Sequence, residues 1–301
     1  MAEIVILINT LNDTAQDFDV LFNLYRKIAT TEQPNLNFDF SNCTFLQQNA
    51  VAFLGGLIGL AHSKKAESSV RLETLKPQIH RHLENNGFLN RFFPRQYPNK
   101  PNSTTAIPYR EDRKNNSAEY THYLLNQWLG RGWVAISNEL KNYIVTHVIE
   151  AYLNVFDHAQ SPIGVITCGQ FYPNLQLLKI AILDFGVGIP NSVRRYLEKP
   201  DMTPEQCLMW AFEANNTTKA AGRDAISRGV GLKQLKSFIP LNEGTLEIYS
   251  DHGYVCIDRT GEKFINRPNG FQGTCVQITL KCDAQYYQMP QEPPANDHVW
   301  F

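Results

Sequence analysis

Apolar and polar positions change rhythm several times along the first ninety residues. Ile4–Ile8 is a β-branched run that predicts a strand. Asp17–Ile28 places Phe18, Leu21, Phe22, Leu24, Tyr25 and Ile28 at mostly helical spacing. Leu36–Phe40 alternates and reads as a strand, Phe45–His62 as an apolar helix, and Val70–Leu72 as a short strand. Pro77–Asn86 is an amphipathic helix closed by Gly87. This strand–helix alternation predicts an α/β sandwich with helices packed on a sheet.

From Phe93 to Ser117 the rhythm fades. Pro94, Pro98, Pro101 and Pro108 punctuate an Asn- and Ser-rich stretch, which predicts a linker over 93–117 between a unit at 1–92 and a second at 118–282. In the second unit Ser137 is a candidate N-cap for a long helix reaching about Ala159. Strands are expected at Ile163–Gln170 and Leu177–Leu183, then an irregular, partly helical stretch over 190–228 and a helix from Leu232. Four strands close the unit, at Thr245–Ser250, Tyr254–Asp258, Glu262–Ile265 and Thr274–Lys281. Long helices on an antiparallel sheet make an α+β two-layer sandwich. The remaining 283–301 is rich in Pro and Gln and reads as a mobile tail, with an arm docking on a partner or on the body as the alternative.

Composition narrows the function classes. Lys plus Arg is 28 and Asp plus Glu 29, so there is no cation surplus to neutralise phosphates and nucleic acid is not an expected partner. The longest apolar stretch, Asn49–Ala61, is shorter than the roughly 20 residues a spanning helix needs, and the N-terminus lacks a basic signal region. A cytoplasmic protein with no membrane partner is expected. The six cysteines form no C-x-x-C pair, so they read as buried small hydrophobes rather than a zinc or disulfide framework.

The candidate chemistry lies on the long helix. Leu140, Ile144, Val148, Tyr152, Val155, Phe156 and Ala159 make its apolar stripe. The opposite stripe carries Asn142, Thr146, His147, Glu150, Asn154, Asp157 and His158, with Glu150, Asn154 and Asp157 expected on one face. Solvated faces usually carry Lys and Glu; Asn, Asp and His without Lys suggest a site. Asp184-Phe-Gly186-Val-Gly188-Ile189-Pro follows a strand and lets a backbone approach a ligand while Asp184 accepts a hydrogen bond from it. Its D-F-G letters come without the H-R-D and V-A-I-K signatures of eukaryotic-type protein kinases. Arg228-Gly229-Val230-Gly231-Leu232 runs into a helix, where exposed backbone N–H groups suit phosphate. No Gly-Lys pair exists, which excludes a Walker A loop. Gly273-Thr274 opens the last strand.

In that order these boxes resemble the Bergerat-type ATP-binding domain of the GHKL superfamily, to which DNA gyrase, heat-shock chaperones, histidine kinases and MutL belong. The resemblance covers about 118–282. It implies that ATP and Mg2+ are the cofactors, with Asn154 the metal ligand and Asp184 the partner of the adenine amino group. Gly186 and Gly188 would let the base lie against the backbone, with Asp157, His158 and Ile189 in the same boxes. Gly229, Val230, Gly231 and Leu232 would cradle phosphates, and Thr274 would assist at the adenine end. Segment 190–228 would be the ATP lid, offering Thr217, Thr218 and Lys219, and more weakly Arg228, to the γ-phosphate. Glu150 matches the acidic residue that activates the attacking nucleophile in hydrolytic members. Val155 departs from the family, which usually has a small residue there.

The eight histidines include no phospho-acceptor motif at the head of a dimerising helix, which argues against an autophosphorylating histidine kinase. Residues 1–92, through Leu36–Leu54 and Ile79–Phe88, are similar to STAS domains of anti-sigma-factor antagonists, whose partners are GHKL serine kinases. Where those domains carry a phospho-acceptor hydroxyl, this chain has Gln47-Gln48-Asn49. The resemblance therefore implies a protein-docking role rather than a phosphorylation switch. Three functions stay open: a regulatory ATPase, a protein serine/threonine kinase acting on a partner, and a non-catalytic ATP sensor. Homodimerisation suits the fold, but the sequence marks no interface.

Overall fold

The computed structural model describes residues 3–30, 35–99, 103–213 and 234–293. Strands β1 (Glu3–Leu7), β2 (Asn35–Asp39) and β3 (Ser68–Val70) form a parallel sheet in the order β1-β2-β3. Parallel neighbours need crossovers, supplied here by α1 (Ala15–Thr30) and α2 (Gln48–Ser63). Thr14 and Asp17 exchange hydrogen bonds at the start of α1, whose Phe18, Leu21, Phe22, Tyr25 and Ile28 are buried as their spacing predicts. α3 (Pro77–Asn85) and α4 (Phe88–Phe92) follow, joined through Gly87 at φ +82°.

α2 is buried on every side from Gln48 to Ala61. A helix apolar all round needs neighbours all round. The parallel sheet covers one side, and the other lies on a second, five-stranded sheet. Glycines allow that approach: a Cβ at Gly55 would overlap Tyr109, and one at Gly56 would overlap the Phe185 ring.

The second sheet is antiparallel throughout, in the order β4-β5-β6-β8-β7. Its first strand, β4 (Ala106–Asp112), lies in the stretch expected to be a linker. Pro108 masks the pattern; it sits on an outer strand where the register with β5 (Val165–Tyr172) shifts, a place where a missing N–H is tolerated. β6 (Leu177–Asp184) is central. The four expected C-terminal strands are two long ones, β7 (Thr245–Asp258) and β8 (Gly261–Lys281). The interruption expected after Ser250 is a register irregularity, not a chain reversal.

α5 (Ser117–Tyr123), α6 (Asn138–Asn154), α7 (Ile189–Leu197), α8 (Pro204–Phe212) and the short α9 (Phe238–Leu241) complete the described helices. Ser137 caps α6 as expected, its Oγ accepting from the Leu140 N–H at 3.0 Å. On one face of the sheet Ile144, Val148 and Tyr152 of α6 share a core with Ile180, Ile182 and Ile278. On the other, α1 and α2 share a core with Cys168, Ala181, Leu183, Tyr249 and Cys275. The fold is thus mixed α/β: a parallel three-stranded sheet and an antiparallel five-stranded sheet, the latter covered on both faces.

Residues 283–293 follow the docked alternative rather than the mobile one. Tyr287 is 4% exposed; its N–H donates to the Ala135 carbonyl and its carbonyl accepts from Ser137 N–H, while Ser137 Oγ donates to Glu292. All six cysteines are free, five of them buried. Among the described residues no helix is long and apolar enough to cross a membrane.

Candidate functional site

A cleft of about 1010 Å³, open solvent included, lies between the front face of the five-stranded sheet and α6, α7 and α8. Ile182, Asp184, Ile248, Thr274 and Val276 form its floor, and Glu150, Ala151, Asn154, Val155 and His158 one wall. Ile189, Ser192, Val193, Trp210, Ala211 and Phe212 line the opposite wall. A mostly apolar cleft with a few convergent polar groups is the usual form of a small-molecule site.

Strand alternation sets the floor. On β6, Ile180 and Ile182 face α6, so Asp184 does too. Register places Asp184 beside Thr274 and Thr274 beside Ser250. The Asp184 side chain accepts from the Gly186 N–H at 2.7 Å and from the Thr274 N–H. Burial nevertheless dominates and pushes its carboxyl up to about 7, with those two bonds opposing. A carboxylate enclosed by apolar walls is thus available for a ligand donor.

The turn after Asp184 is clamped by the protein itself. Val187 N–H donates to the Ala159 carbonyl at 2.7 Å, and Ile189 N–H donates to Ser250 Oγ at 2.8 Å. Ser250 Oγ in turn donates to the Gly273 carbonyl at 2.8 Å. Gly188 sits at φ +78° and lines the cleft. A Cβ at Gly186 would overlap the Ala159 carbonyl, so the close approach seen there is to its own chain. A Cβ at Gly273 would likewise overlap the Asp184 carbonyl.

The helical wall departs from simple periodicity. α6 gives way after Asn154 to a π turn, Val155–Ala159. Its i→i+5 bonding widens the turn. Glu150, Asn154 and His158 line the cleft, whereas Asp157, expected on the same face, does not. Asn154 is exposed on this wall and Glu150 half-buried.

Structure therefore brings together Glu150, Asn154, His158, Asp184, Gly188, Ile189 and Thr274. Thr217, Thr218, Lys219, Arg228, Gly229, Val230, Gly231 and Leu232 lie outside the described residues. Sequence reasoning missed Ser250, which is fully buried and links the turn to β8. The signal was present, since Ser250 is the polar member of the inward series Leu246, Ile248, Ser250. Trp210 and Phe212 gave no comparable signal. Compared with known proteins, the chain matches no family model and no curated protein sequence.

Proposed function

We propose that this chain binds ATP with Mg2+ in the cleft and hydrolyses it, as a regulatory ATPase of GHKL type with a STAS-like N-terminal unit. The observation that carries the reading is the Asp184 carboxyl, buried on an apolar floor with Glu150 and Asn154 on the adjoining wall. Adenine presents an exocyclic amine to such a carboxylate, whereas guanine presents a carbonyl oxygen that it repels. Ile182, Ile248 and Val276 offer the flat apolar contact a base needs.

The polar side of the cleft suits the phosphate end. An amide oxygen at Asn154 one turn from a carboxylate at Glu150 is a hard-oxygen donor set, which fits Mg2+ with its few protein ligands. Bound there, the ion would neutralise charge on the phosphates. Asn154 would hold it, and Glu150 would accept the proton of the attacking water. The phosphate-cradling role of 229–232 and the γ-phosphate role of Thr218 and Lys219 belong to the same proposal.

A docking role for Gln47-Gln48-Asn49 takes a changed form. These residues are buried, and Tyr172 of β5 donates to Gln47 and Gln48, so this surface meets the chain's own sheet. A protein partner of the N-terminal unit would use another surface, such as β1, where Val5 and Leu7 are 48% and 47% exposed.

Incubation of the chain with γ-labelled ATP and Mg2+ tests the reading. Release of labelled phosphate, lost in Glu150→Ala, is expected. Label transferred to an added partner protein instead would make the chain a kinase. Tight binding with neither outcome would make it a sensor.

A further inference from the structure

We propose that Phe185 is a positioning residue for the candidate nucleotide site, and that α1 and α2 of the N-terminal unit are the back wall that holds it. This rests on the nucleotide reading of the cleft. Phe185 directly follows Asp184, so alternation sends its ring to the opposite side of the sheet. The ring is 4% exposed. It stacks on Tyr25 of α1 at 5.3 Å between centroids and an interplanar angle of 5°. Edge-on contacts to Phe53 of α2 at 5.2 Å and Phe271 of β8 at 5.8 Å close two more sides. The backbone of α2 closes another side, since a Cβ at Gly56 would overlap the ring.

On the cleft side the same turn is pinned at Val187, Ile189 and Gly186. Asp184 is therefore fixed from both directions: by hydrogen bonds in front and by one aromatic slot behind. Tyr25 is close enough for the Asp184 charge to help raise its hydroxyl pKa, secondarily to burial. Packed interiors transmit strain because they hold few voids. Displacing Phe185 tilts the carboxyl, and a hydrogen bond that discriminates bases is sensitive to its angle. The consequence is that the N-terminal unit sets the adenine preference of a site it does not line.

The test is the ratio of ATP to GTP affinity, measured calorimetrically on the full-length chain and its variants, each checked for cooperative melting. Phe185→Ala empties the slot. Gly56→Ala adds a methyl against the ring while favouring the helix. Each is expected to lower the ratio about tenfold, the scale of one hydrogen bond to a charged group. The double variant Gly56→Ala/Phe185→Leu, whose shorter side chain leaves room for the methyl, restores it. Leu83→Ala, a fully buried change on α3, which packs chiefly against α4, lowers the melting temperature and leaves the ratio unchanged. A wild-type preference that survives in whichever of Phe185→Ala and Gly56→Ala melts cooperatively overturns the back-wall assignment alone. Should neither melt cooperatively, a ratio unchanged in Phe185→Leu overturns it equally. A wild-type chain that binds neither nucleotide overturns the nucleotide reading and this inference with it.

Discussion

The two faces of the five-stranded sheet are built from neighbouring residues of the same strands. Across β6, β8 and β7 the front row is Asp184, Thr274 and Ser250; one residue away, the back row is Leu183, Cys275 and Tyr249. The front row is polar and hydrogen-bonded to turns, and its Asp184 and Thr274 line the cleft. The back row is sealed under α1 and α2 with Phe18, Phe22 and Phe53. A period of two places chemistry and core side by side, and a slip of one residue would exchange them. The lesson is that the cleft floor and the buried core are alternate residues of the same three strands.

Four substitutions sharpen this contrast. Glu150→Ala, on the front, is expected to lower ATP turnover by about 10²–10⁴-fold, the range for a general base, with ATP affinity little changed. Steady-state phosphate release measures it. Phe53→Ala, on the back, should lower unfolding free energy by about 3–5 kcal/mol in a urea titration, because it opens a cavity in a closed layer. If that variant is as stable as wild type, the back face is not the dense core described.

Asp184→Asn has effects of opposite sign on binding and stability. Loss of the charged acceptor should weaken ATP by about 1.5–3 kcal/mol. The Asp184 folded-state pKa of about 7 lies above the ordinary 3.8, so its proton stabilises the fold at low pH and that stability is lost as pH rises through about 7. Relative to wild type, Asp184→Asn should therefore gain up to about 3 kcal/mol between pH 5 and pH 8. Denaturation at both pH values checks the sign. ATP affinity of the wild type should rise over the same window. The smallest effect is expected of Ser137→Ala, which removes the α6 cap and the hydroxyl bonded to Glu292, at about 1–2 kcal/mol by thermal melting.

Much of this was legible in the chain. Helical spacing gave the buried stripe of α1, Ser137 marked the start of α6, and Asp184 was identifiable from a strand followed by two glycines. The rest was hidden for physical reasons. Pro108 interrupts the pattern of β4 without interrupting the strand. Asp157 leaves the cleft because a π turn replaces the α-helical step on which its placement was based. The all-apolar α2 announced burial on every side, but periodicity does not say which sheet covers which side. Gly55 and Gly56 held that information, visible once Tyr109 and Phe185 were placed against them. The tail looked mobile because its anchors, Tyr287 and Glu292, are single residues in a polar stretch.

Asp184 is proposed to read a base on the floor of the cleft. Calorimetric titration of the full-length chain with ATP and with GTP, at pH 8 with Mg2+, tests it most directly. A hydrogen bond from the adenine amine to Asp184 gives one site per chain for ATP and an affinity for GTP at least about tenfold weaker, the scale of a hydrogen bond to a charged group. Equal affinity for the two, or no heat with either, would contradict it.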